Sequence, residues 1–159
     1  MIRDATAADA EDICALLRRS IVELCLPDHH GHAATLEGWL SNKTTDNVAA
    51  WIASPDMHIW VFMRGDAMAG VCMLSGAGEV MLNYVAPEAR FSGVSTALLA
   101  HMEVFAASHR LSSLRLTSTW TARDFYIARG YEPEKDEADI FDSDDGCELV
   151  KHIASIRQF

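Results

Sequence analysis

Apolar residues along the chain recur in two rhythms, at helical spacing in some segments and at every second residue in others. "IRD" opens as a short strand, and Thr6 with Asp9 three residues on has the spacing of a capping box at a helix start. Ile13, Leu16, Leu17, Ile21 and Leu24 then predict a first helix running to about Cys25, which Pro27 and Gly31 interrupt. "ATLEGWLSNKTTDNVAAWIASPD" predicts two short helices, one through Trp39-Leu40 and one through Val48-Trp51-Ile52, the second capped by Thr45 and ended by Pro55. The strands "HIWVFMR" and "AGVCMLS" follow, joined by a tight turn at Gly65-Asp66. A turn at Ser75-Gly76-Ala77-Gly78 leads into a third strand, "EVMLNYVA".

After a polar loop comes a long helix, "STALLAHMEVFAASH", with Leu98, Leu99, Met102, Phe105 and Ala106 as its buried stripe. "SLRLTS" is a strand and "TARDFYIARG" a helix stopped by Gly130; a strand near Tyr131 and a last pair, "ADIF" and "CELVKHIA", complete the chain. Helices interleave with strands in the second half. This order implies one mixed α/β domain over residues 1–159.

Composition narrows the function classes. No apolar run approaches the roughly 18 residues of a spanning helix, and Met1-Ile2-Arg3-Asp4 turns acidic at once, without a basic-then-apolar leader. The expectation is a cytoplasmic protein with no membrane partner. A formal charge of −10 argues against nucleic acid as a partner, because backbone phosphates need clustered Lys and Arg. The four cysteines (Cys14, Cys25, Cys72, Cys147) are scattered, so neither a disulfide framework nor a structural zinc site is expected. In "PDHHGH", His29, His30 and His32 stand too close together to enclose an ion, and no metal is expected. The acidic "EPEKDEADIFDSDDGCE" fails as a calcium loop, since Gly146 as sixth position puts Phe141 first; Asp145-Gly146 reads instead as a hairpin turn.

The chemistry concentrates in "VAPEARFSGVSTALL", Val85 to Leu99. A helix N-terminus presents unpaired N–H groups and a partial positive charge, and so attracts phosphate. Gly93 permits positive φ and a close backbone approach to an anion. The Lys-containing GxxxxGK[ST] loop and the GxGxxG fingerprint are both missing. What matches is [QR]-x-x-G-x-[GA] after V-x-P: Val85-Ala86-Pro87, then Arg90-Phe91-Ser92-Gly93-Val94-Ser95. A second signature, A-x-x-F-Y-x-x-x-G-[FY], stands at Ala122 to Tyr131. On these two motifs, within about a third of the chain (Glu79 to Tyr131), the sequence resembles the GNAT family of acyl-CoA-dependent N-acyltransferases. Ser95 stands where Gly or Ala is usual, Thr119 where an Asn often contacts the pantetheine arm, and Phe91 and Ser92 are less basic than the common loop.

The resemblance implies a mostly antiparallel central sheet with helices on both faces. It also implies acetyl transfer from acetyl-CoA to the amine of a small molecule or peptide, by direct attack in a ternary complex and without a metal. Backbone N–H groups from Arg90 to Thr96 would hold the diphosphate, the pantetheine would lie beside Tyr84 and Val85 near Thr119, and a main-chain N–H near Val85 would polarise the thioester. Tyr126 stands at the place of the family's general acid, where a phenol near pKa 10 can protonate a thiolate. The base is open among Glu79, which strand alternation would put on one face with Met81 and Asn83, the loop histidines His29 or His30, and a water chain. Asn83, His29 and His30 are candidates for lining the acceptor pocket. Trp39, Trp51 and Trp60 read as core residues. A homodimer is open. Two other classes compete: a module of this fold that holds acyl-CoA without turnover, against which Tyr126 speaks, and an unrelated phosphate-binding domain.

Overall fold

The computed structural model describes residues 1–25, 31–119, 121–134 and 146–153. The elements are β1 (Ile2–Asp4), α1 (Ala10–Leu24), α2 (Ala33–Leu40), α3 (Thr45–Ala53), β2 (Met57–Arg64), β3 (Ala67–Ser75), β4 (Val80–Val85), α4 (Val94–Ser108), β5 (Ser113–Ser118), α5 (Arg123–Ile127), β6 (Glu132–Pro133) and β7 (Cys147–His152). The expected box caps a single 3-10 turn, Ala7–Asp9, that leads into α1: the Asp9 carboxylate accepts the Thr6 backbone N–H at 2.7 Å. It also accepts both ends of the Arg3 guanidinium, at 2.8 and 2.9 Å, tying β1 to α1. The cap of α3 is Thr44 rather than Thr45, because the Thr44 hydroxyl is the one that accepts the Asn47 N–H. "ADIF" and Asp145 lie outside the described residues.

The strands form two antiparallel sheets, β1-β2-β3-β4 and β5-β7-β6. Among the described residues, a single parallel bridge, Glu79 with Arg115, joins them. Ala69 to Leu74 of β3 are all buried, which requires both faces of that strand to be covered. Both α1 and α4 pack on β3 and β4. Gly70 is where α4 comes nearest: a Cβ there would stand 2.6 Å from Val94 Cγ1. Leu98, Leu99, Met102 and Ala106 of α4 are buried as its stripe predicts, and one apolar cluster runs from Ile13 and Leu17 through β3 to Leu114 and Leu149 of the second sheet. Trp60 is buried; Trp39 and Trp51 are half-buried. Among the described residues, no helix is long and apolar enough to cross a membrane.

One irregularity positions everything that follows. Met73 pairs with Leu82 but Leu74 pairs with Val80, so Met81 is an extra residue in β4. A bulge twists its strand and ends regular pairing. Here it lies just past the bridge to β5, where the two sheets part.

Candidate functional site

The parting of the sheets opens a cleft of about 190 Å³, walled by β4, by Thr117 to Thr119 at the end of β5, by Tyr126, and by Ser20 and Cys25 at the end of α1. Beyond the bridge, the outer edge of β4 has no strand partner among the described residues. The Ala86 N–H bonds to the Ala69 carbonyl at 2.8 Å. Antiparallel pairs alternate, so the neighbouring pair of Gly70 and Val85 is not hydrogen-bonded, and the Val85 N–H points away from β3 to this free edge. Tyr84 and Val85 both line the cleft.

At one end of the cleft, α4 begins. Gly93 is its N-cap with φ +82°, a left-handed conformation that only glycine adopts without strain. A Cβ built on Gly93 would meet nothing within 4 Å, so the bend is open to a ligand. The first intrahelical bond runs from the Ala97 N–H to the Gly93 carbonyl, which leaves the N–H groups of Val94, Ser95 and Thr96 without an intrahelical partner. Arg90, Phe91, Ser92 and Thr96 are exposed beside them, while Val94 is buried and holds the turn to the core. Phe91 takes φ +60°, carries its ring 92 % exposed, and stacks on the Arg90 guanidinium at 4.5 Å. This cradle of peptide dipoles fits a diphosphate without needing a basic side chain in the loop itself.

At the other wall, the Tyr126 ring is buried against Phe125 and Tyr131. Burial pushes its phenol above the ordinary value, the Asn83 amide pulls it down, the Cys72 thiol pushes it up, and Arg129 pulls it down. The phenol is therefore protonated throughout the neutral range, the form required of a proton donor. Cys72, opposite Asn83 in the ladder, has its thiol pushed up to about 12 by burial, and is inert as a nucleophile. Asn83 Nδ2 approaches Tyr126 Oη at 3.4 Å and the Ser95 carbonyl at 3.5 Å. The Thr119 hydroxyl accepts the Ala122 N–H at 3.2 Å, so the residue in the family's Asn position shapes the turn into α5 while lining the cleft.

Glu79 is not brought to Tyr126. It lies before β4, exposed, in an adjoining trough with Arg115, Glu134 and Glu148 that shares only Leu116 and Thr117 with the cleft. The expected common face of Glu79 and Asn83 is overturned by the bulge: Asn83 pairs with Cys72 and Val80 with Leu74, so Asn83 shares a face with Val80, opposite Glu79. His29 and His30 lie outside the described residues. Among the described residues, no group of three or more His, Cys, Asp or Glu is placed to hold a metal ion.

The sequence shows one arginine in the loop, but the fold brings two more to it. Arg64, the last residue of β2, donates to the Ser92 carbonyl at 3.3 Å. Arg129 donates to Thr96 Oγ1 at 2.9 and 3.2 Å and to the Phe125 carbonyl at 2.7 Å, and lies over the Phe125 ring at 3.7 Å. Arg129 precedes the motif glycine Gly130, so its position carried a signal; Arg64 carried none. Cys25 is a further residue of the cleft wall that local pattern did not reveal.

Comparison with known proteins bears on the fold and on the family. A GCN5-related N-acetyltransferase of Rhodopseudomonas palustris is similar at TM-score 0.82 and 19 % identity, over 96 % of this chain and 95 % of that one. The PaiA N-acetyltransferase of Thermoplasma acidophilum, solved with coenzyme A, is similar at TM-score 0.80 and 17 % identity, over 96 % of this chain and 98 % of that one. N-acetylglutamate synthase of Neisseria gonorrhoeae, solved with coenzyme A and N-acetyl-glutamate, is similar at TM-score 0.62 and 21 % identity, over 96 % of this chain but 34 % of that one. No curated protein sequence matches the chain. These likenesses concern the fold, whereas the sequence model of the acetyltransferase (GNAT) domain matches residues 25–151, most of the 159. With both motifs on the elements the family requires, the chain belongs to the GNAT acetyltransferase family.

Proposed function

We propose that the protein transfers an acetyl group from acetyl-CoA to a primary amine of a small molecule or peptide, by direct attack while both substrates are bound. The observation that carries this reading is the convergence on one cleft of the open α4 N-terminus, the outward Val85 N–H and the protonated Tyr126 phenol. Coenzyme A in two of the similar structures supports the choice of donor. The Arg90 N–H, counted in the expected cradle, bonds instead to the Pro87 carbonyl at 3.3 Å; backbone N–H groups from Phe91 to Thr96 hold the diphosphate, with Arg64, Arg90 and Arg129 around them. The free edge of β4 receives the pantetheine arm, and the Val85 N–H stabilises negative charge developing on the thioester oxygen, a contribution of roughly 3 kcal/mol for a preorganised donor. As the C–N bond forms and the C–S bond breaks, Tyr126 gives its proton to the departing sulfur. Glu79 takes the amine proton from the adjoining trough, directly or through water. Direct attack needs no nucleophile from the protein, and the buried Cys72 thiol next to the site offers none.

Thiol release from acetyl-CoA across a panel of amines tests the proposal. Initial-rate lines at varied amine and donor should intersect, as a ternary complex requires, and not run parallel. Tyr126→Phe should lose about 100-fold in kcat, and Glu79→Gln about 10–100-fold at neutral pH. The Glu79→Gln deficit should shrink as pH rises towards the amine's own pKa. Undiminished turnover in either variant removes that residue's role.

A further inference from the structure

The Asn83 carboxamide holds two unlike positions. Its Nδ2 faces two oxygens, the Ser95 carbonyl at 3.5 Å and Tyr126 Oη at 3.4 Å. Its Oδ1 is fully buried and has no hydrogen-bond partner among the described residues. An Asn amide can be turned over without changing its shape, so the question is what fixes its sense. Ser95 answers it. A carbonyl oxygen can only accept, so the corner of the amide that faces it must be the N–H corner. The same corner faces Tyr126, and a phenol that receives an N–H must use its oxygen there as acceptor. Its own hydrogen is then excluded from the Asn83 side and left for another partner in the cleft.

We infer that Asn83 is a positioning residue that orients the Tyr126 hydroxyl so that its hydrogen is presented to the departing sulfur. The sense of its amide is set by the backbone of α4, the helix whose first turn forms the phosphate cradle. This deepens the general-acid reading of Tyr126 and rests on it. In the step concerned, the C–S bond breaks, the phenolic proton passes to sulfur, and the phenolate left behind is stabilised by the Asn83 N–H until solvent returns a proton. The direction in which Asn83 moves the phenol's acidity agrees with this role.

A double-mutant cycle tests the inference, using kcat as readout and coenzyme A affinity and melting temperature as folding controls. Asn83→Ala should lower kcat about tenfold, the worth of one oriented hydrogen bond. Combined with Tyr126→Phe it should add no further loss, within about twofold, because Asn83 acts only through the phenol. Asn83→Asp should be slower than Asn83→Ala, since a carboxylate draws the phenolic hydrogen to itself. Asn83→Ser runs the same cycle if the alanine variant fails to fold. Losses that multiply in the double variant, or an aspartate variant faster than the alanine one, overturn the inference. Full turnover in Tyr126→Phe alone is a different result, and it overturns the acid reading on which the inference stands.

Discussion

At the scale of single residues, Phe91 is the clearest local conflict. A non-glycine residue at φ +60° costs on the order of 1 kcal/mol, and here the side chain gains little in return, the residue being 92 % exposed with the Arg90 guanidinium over its ring. Glycine removes the strain, whereas alanine keeps it, and both lose the same ring contact. Phe91→Gly should therefore melt roughly 2–4 °C above Phe91→Ala, reversing the usual order of these two residues. Differential scanning calorimetry decides it; a glycine variant that melts below the alanine variant means the loop carries no such strain. The candidate site was legible in part at this scale. Tyr126 and Gly93 could be singled out because they sit inside motifs with fixed spacing. The partnership of Asn83 with Tyr126 could not, because it joins residues 43 apart in sequence through a cross-sheet approach that no local pattern records.

At the scale of elements, the chain was readable wherever local rules acted alone. The Thr6–Asp9 spacing predicted the start of the first helix, and the Asp9 carboxylate indeed closes on the Thr6 N–H. The sequence did not show that Arg3 would clamp the same carboxylate, holding it at about 2 against an ordinary 3.8. The folded-state value lies below the unfolded one, so the stabilisation is present above about pH 4 and is lost as pH falls towards 2. The shift corresponds to about 2 kcal/mol. Asp9→Asn should therefore lower the melting temperature by roughly 4–8 °C at pH 7, with the gap narrowing progressively below pH 4. A gap of constant size across that range contradicts the assignment. Strand β4 shows where element-level reading stops. Its alternation is plain in "EVMLNYV", yet the extra residue at Met81 reverses the parity between Glu79 and Asn83. A bulge is a property of pairing, set by the partner strand and the place where the sheets part, and so it is invisible along one strand.

At the scale of the whole molecule, the order of helices and strands foretold a mixed α/β fold, and both motifs landed on the elements they require. The division into two sheets did not follow from that order, since it depends on the bridge of Glu79 with Arg115, beyond which β4 and β5 part. Nor did the arginines that surround the loop: a chain of net charge −10 brings Arg64, Arg90 and Arg129 together around the proposed anion cradle. Net charge described the surface and concealed the site.

Amide hydrogen exchange, followed with and without coenzyme A, reads the proposed cradle at the backbone itself. Protection should appear from Phe91 to Thr96 and along the free edge of β4 to Val85, while β1 and β7 exchange as before. Coenzyme A that leaves those amides unprotected, or that protects a segment remote from Gly93, would contradict the account.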